Sequence, residues 1–195
     1  MERSSSTSVW VTSSLIICLI VVAAAPAVAA ADEEEYCASP TSVEAACRGA
    51  SETHHGVAYD HCVASLAGDP RSKEKEASSI HGLAMLATRM AIDHAASTEA
   101  KINDLAELDG SSSDDRFNHC LEQYGGAADL LRDALDNLKA RIYGTAMEQL
   151  SAALGAAESC EDAWKDAGVN PPVAAHDREY GRMAHIAIGF THAAA

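Results

Sequence analysis

The chain has 195 residues, 48% of them hydrophobic, with 29 acidic against 14 basic side chains, a formal net charge of -15 and few aromatics (Trp 2, Tyr 5, Phe 2). Nucleic-acid binding is disfavoured, because a reader of phosphates needs a basic stripe to displace counterions; a basic protein partner is favoured instead. Few aromatic and β-branched residues in an alanine- and leucine-rich chain predict helices rather than sheets, and the length fits one domain rather than two.

The first element is a targeting segment. An apolar stretch from Leu15 to Val22 is followed by Pro26 and small residues up to Ala31. This is the pattern of a secretion signal cut near Ala29 to Ala31, so residues 1–30 are read as a signal peptide and 31–195 as the mature domain. Trp10 to Ala31 is barely long enough to span a bilayer uncleaved, and nothing after Ala31 has the continuous apolarity of a membrane helix. The mature chain is therefore expected in the extracellular space, without membrane attachment, after passing an oxidising compartment in which disulfides persist.

A short helical hairpin is predicted next, over about residues 37–69. Cys47 and Cys62 flank the turn material Ser51-Glu-Thr-His-His-Gly56, so a bridge between them would staple the hairpin. Four long helices should follow, over about 70–194. The first carries Ile80, Leu83, Ala87 and Met90, continuing through Ile102 and Leu105. Asp109-Gly-Ser-Ser-Ser-Asp-Asp115 then ends that helix at glycine and offers serines to cap the next. The second helix is the clearest: Phe117, Leu121, Tyr124, Ala128, Leu131, Leu135, Leu138 and Ile142 recur at alternating steps of four and three. Such a stripe is buried only against other helices. Thr145-Ala-Met-Glu148 reads as a capping box opening the third helix, with Met147, Leu150, Leu154, Ala157 and Trp164 on its stripe. Asn170-Pro-Pro172 isolates the last helix, with Tyr180, Met183, Ala187 and Phe190. Short joints imply antiparallel neighbours, and the fold expected is all-α: an up-down-up-down four-helix bundle preceded by a helical hairpin.

Cysteine arithmetic fits that bundle. Removal of the signal takes Cys18, leaving Cys37, Cys47, Cys62, Cys120 and Cys160, which allow at most two bridges and one surplus thiol, assigned to Cys37. Cys120 begins the second bundle helix and Cys160 ends the third, so an antiparallel pair brings them together. No catalytic elbow, Walker loop, zinc motif or dinucleotide fingerprint is present. The nine histidines are scattered and are read mostly as surface groups that charge in an acidic medium. No catalytic residue, metal site or cofactor is expected.

The segment Tyr59-Asp-His-Cys62-Val-Ala-Ser-Leu66-Ala-Gly-Asp69-Pro70-Arg-Ser72 resembles the plant invertase and pectin methylesterase inhibitor family. That family joins a hairpin cysteine, a leucine four residues on, and an Asp-Pro-x-Ser entry to the first bundle helix. The likeness continues through Cys120-Leu-Glu-Gln-Tyr124, Leu150-Ser-Ala-Ala-Leu154 and Cys160-Glu-Asp-Ala-Trp164, and so covers essentially the whole mature chain. The resemblance implies bridges Cys47 to Cys62 and Cys120 to Cys160, in a longer-hairpin branch similar to pollen proteins named for invertase inhibition. A Cys37 to Cys47 bridge is rejected because Cys47 is not followed by the leucine and Asp-Pro that follow Cys62.

The function implied is a secreted, non-enzymatic inhibitor that blocks the substrate groove of a cell-wall enzyme in a 1:1 complex. Invertase inhibitors of the family carry Pro-Lys-Phe at the joint before the third bundle helix; here that joint is Tyr143-Gly-Thr145, so pectin methylesterase is the target preferred and acid invertase the alternative. Glu122, Asp129, Asp133 and Asp136 lie off the apolar stripe of the second helix and are the candidate partner-binding residues. A helical signalling or ligand-carrier protein is the reading from another class; a plant lipid-transfer protein would need eight cysteines with a Cys-Cys pair.

Overall fold

The computed structural model describes residues 41–108 and 114–195, so the expected signal segment, Cys37 and most of the serine-rich joint lie outside it. Six helices occupy the described residues: α1 (Val43–Thr53), α2 (Tyr59–Gly68), α3 (Ile80–Leu108), α4 (Asp115–Lys139), α5 (Tyr143–Lys165) and α6 (Ala174–Ala194). No strand occurs among them. Helices α3 to α6 form a closed four-helix bundle in which α4 lies between α3 and α5, and α6 closes the ring between α5 and α3. The hairpin of α1 and α2 rests on α6 through α1.

The bundle core is the set of stripes meeting. Leu83, Met90 and Ile102 of α3, Phe117, Tyr124, Leu131 and Leu138 of α4, Leu150 and Trp164 of α5, and Tyr180, Met183 and Phe190 of α6 are all buried. Many remaining core positions are alanine, including Ala134, Ala146, Ala153 and Ala187, so the helices approach closely with little side chain between them. Tyr124 and Tyr180 pack edge to face, with centroids 5.2 Å apart, at the centre.

Two bridges are present, Cys47 to Cys62 within the hairpin and Cys120 to Cys160 between α4 and α5. Closing loops of 15 and 40 residues constrains the unfolded chain by about 3 and about 4 kcal/mol respectively.

The entry to the bundle differs from expectation. Asp69-Pro70-Arg71-Ser72 does not open directly on α3; it forms a 3-10 turn, Pro70–Lys73, followed by a second, Lys75–Ser78. Asp69 Oδ1 accepts from the Arg71 amide at 2.9 Å, and the Arg71 guanidinium returns to both Asp69 oxygens and reaches Asp93 on α3 at 2.8 Å. The carboxylate therefore caps the corner while the arginine pins it to the bundle. The second turn then crosses the start of α3 so closely that a Cβ on Gly82 would sit 1.6 Å from the Glu76 carbonyl oxygen. Only glycine allows that crossing.

Three further joints correct the sequence reading. α4 is capped by Asp114 rather than by a serine: its Oδ1 accepts from the Arg116 amide at 2.9 Å. Ile142 is not the last residue of the α4 stripe but lies outside the helix, 50% exposed. The cause is Arg141, held at φ 58, which lets the Ile142 amide reach back to the Asn137 carbonyl at 2.8 Å and end α4 with a left-handed cap. Consequently α5 begins at Tyr143, and Thr145 lies inside its first turn instead of capping it. The end of α5 uses the same device with a glycine, Gly168 at φ 72, ahead of the prolines.

Candidate functional site

The acids singled out on α4 occupy one face. Asp129, Asp133 and Asp136 follow Glu122 by seven, eleven and fourteen residues, close to whole helical turns. All four are exposed. Two are partly neutralised by neighbours on the same helix: Asp129 is 2.7 Å from Arg132, and Asp136 is 2.8 Å from Lys139. Such exposed pairs contribute little to stability, leaving the row available to a partner.

Beside this row runs a shallow groove between α4 and α5, about 280 Å³, edged by Glu122 and floored by Gly126, Ala127, Leu130 and Ala156. The small residues let the two helices approach and leave a shallow trough of mixed polarity next to the carboxylates, with Gln123 on its edge. Along α5 a second cleft of about 470 Å³ carries Glu158, Asp162 and Asp166, facing His119 of α4. These acids were not among the sequence candidates, although their spacing of four residues places them on one helical face. The two helices thus share a strongly acidic outer surface.

That surface is held rigidly at one end. The Cys120 to Cys160 bridge crosses from α4 to α5 there. Arg116 binds both oxygens of Asp114 and lies over the Trp164 ring at 4.3 Å, while Phe117 meets the same ring edge to face at 4.9 Å. With Arg116 donating to it, Asp114 is held down at about 2.

Behind the surface lies a polar centre that hydrophobic patterning does not show. Asp177, in the first turn of α6, is 2% exposed and accepts a 2.6 Å hydrogen bond from the Tyr124 hydroxyl; its Oδ2 has no partner among the described residues. Burial, opposed by the tyrosine bond, raises this carboxyl to about 6. Burial likewise raises the Tyr124 hydroxyl above the usual tyrosine range. An acid in a first helical turn ordinarily reads as a solvated partner of the helix dipole, so no pattern in the sequence marked Asp177 as buried.

The histidines also depart from expectation. Seven of the nine are half-buried, His55 and His192 being the exposed ones. His54 Nε2 and His185 Nδ1 are 3.1 Å apart where the hairpin meets α6, and burial lowers both below the usual histidine range. They are harder to charge than surface imidazoles, because proton uptake would place two cations in contact. Among the described residues no three histidine, cysteine or carboxylate side chains converge to hold a metal ion, and no described helix is long and apolar enough to cross a membrane.

Comparison with known proteins agrees with this architecture. Residues 41–189 match the family model described as plant invertase/pectin methylesterase inhibitor. A Platanus acerifolia protein named "Putative invertase inhibitor" is 26% identical over 76% of this chain and 83% of its own length. Pectinesterase inhibitor 8 of Oryza sativa subsp. japonica is 28% identical over 76% of this chain and 80% of its own. The crystal structure of a mutant form of a pectin methylesterase inhibitor from Arabidopsis superposes with a TM-score of 0.57 at 20% identity, covering 69% of this chain and 88% of that one, and so shares the fold.

Proposed function

Because the chain belongs to the plant invertase/pectin methylesterase inhibitor family, we propose that it is a secreted protein inhibitor of a plant cell-wall enzyme, released from residues 1–30 and acting without turnover of its own. Its target in this reading is a pectin methylesterase, bound one to one with the substrate groove blocked. The observation that carries the reading is the rigid acidic surface of α4 and α5. A groove built for a polyanionic substrate accepts a row of carboxylates such as Glu122, Asp129, Asp133 and Asp136, and Leu130 in the trough beside them supplies apolar contact. Charge then governs the speed of encounter and the buried contact governs residence.

Acid invertase is the second reading, favoured by the printed names of the two Platanus relatives. Against it stands the α4 to α5 joint, where Tyr143-Gly-Thr145 stands instead of Pro-Lys-Phe. Titration of the purified protein separately against a plant pectin methylesterase and an acid invertase decides between them. The expected result is loss of methylesterase activity at one equivalent, with association slowed by salt and slowed again in the Glu122→Lys, Asp133→Lys double variant. Inhibition of invertase alone would replace the target, and inactivity against both enzymes would remove the inhibitor reading.

A further inference from the structure

At the end of the bundle opposite the Cys120 to Cys160 bridge, an otherwise acidic molecule has a basic cleft. It is the largest of the cavities described, about 560 Å³, and three segments build it: the 3-10 turn with Lys75 and the Ser79 that follows it, the first turn of α3 with His81, and the end of α4 with Lys139 and then Arg141 in the joint. The one carboxylate in its lining, Glu76, is engaged by Arg89 at 3.1 Å, and Lys139 is shared with Asp136. Lys75 and Arg141 have no carboxylate within 4 Å among the described residues.

The placement of Arg141 is specific. It is the one non-glycine residue at positive φ among the described residues, in a position where glycine would cost nothing. Its Nη1 donates to the Tyr143 hydroxyl at 3.2 Å, and that hydroxyl is 3.1 Å from His81 Nδ1. The guanidinium is thereby braced at the cleft wall with donors to spare.

Helix polarity points the same way. Helices α1, α2, α4 and α6 each carry an acid in the first turn: Glu44, Asp60, Asp115 and Asp177. The two that begin beside this cleft, α3 and α5, carry none. In a chain with 29 acids, these two helices begin without a first-turn carboxylate of their own, and Ser79 and His81 at the start of α3 and Arg141, two residues before α5, line the cleft.

From this convergence we infer that the cleft binds a short sugar acid, its carboxylate held between Arg141 and Lys75 and its hydroxyls by Ser79, His81 and Lys139. The size suits one or two sugar units rather than a polymer. A long polyanion is excluded by the net charge of -15, which repels whatever extends beyond the cleft. The ligand class follows from the cleft itself and is independent of which enzyme the protein inhibits; no enzyme is needed in the test.

Calorimetric titration of the secreted protein with D-galacturonate, D-galactose and sulfate tests the inference. Galacturonate should bind, galactose should not, and sulfate should bind at least about tenfold more weakly, since it offers charge without hydroxyls. Arg141→Gly should weaken galacturonate binding by about tenfold or more while preserving the fold, because glycine suits the left-handed backbone at that position. Lys75→Ala, on the exposed turn, should weaken it similarly. Equal binding of galactose and galacturonate would overturn recognition of the acid, equal binding of sulfate would overturn the sugar, and unchanged affinity in Arg141→Gly would overturn the location.

Discussion

Asp177 is the one buried acid among the described residues. In the fold its carboxyl titrates at about 6, against an ordinary value of 3.8. Between these values the folded state keeps a proton that the unfolded state has released, so stability falls as pH rises across this window and is level beyond it. The loss amounts to about 3 kcal/mol. Asp177→Asn mimics the protonated carboxyl and retains an oxygen to accept from Tyr124. The difference in unfolding free energy between variant and wild type, measured from pH 4 to pH 7, should therefore grow by that amount in favour of the variant; a constant difference would show that Asp177 is ionised throughout. At this scale the sequence was legible for apolar side chains alone. Tyr124 and Leu131 declared themselves by periodicity, whereas burial of Asp177 depends on what α4 presents to α6, and no local pattern encodes that.

Among elements, the hairpin is attached to α6 in part by a titrating contact. Gly189 of α6 meets α1 so closely that a Cβ there would lie 3.3 Å from Ala50, and the adjoining contact is the His54 to His185 pair. Burial first, then the neighbouring histidines, lowers both imidazoles below 6.5. The sign is opposite to that of Asp177. The unfolded chain takes up protons first, so the contribution of the pair is complete above pH 6.5 and is lost as pH falls through the lowered folded values. Hydrogen exchange of α1 amides should thus accelerate relative to the α4 core as pH is lowered from 7 to 5, after correction for the intrinsic rate. His185→Gln should remove most of that acceleration, and an unaltered profile would detach the effect from this contact. The helices were legible from their stripes because each buries one face; the joints were not. Ile142 continued the rhythm of α4 but fell outside the helix, since the left-handed turn at Arg141 breaks the period where no glycine announces it.

For the whole molecule, one core holds the described helices together, and alanine-rich packing leaves it little slack. Leu131, fully buried on α4, is a direct probe. Leu131→Asp should cost several kcal/mol, a large share of the stability of a domain, and abolish recovery of folded protein. Normal yield with unchanged helicity would contradict this core. The bundle topology was legible because four stripes with short joints admit few arrangements, while the basic end of the molecule was not. Its cations, Lys75, Lys139 and Arg141, come from segments more than sixty residues apart in sequence, each unremarkable where it stands. The Cys120 to Cys160 bridge has a last consequence, for survival after scission. Arg141 and Ile142 form an exposed joint inside the covalent ring that this bridge closes. A protease that cuts after Arg141 leaves two fragments still bonded, with α4 and α5 clasped by the disulfide at one end and by their shared core along their length. Such a nicked molecule runs as one species until it is reduced, and its acidic surface outlasts the cut.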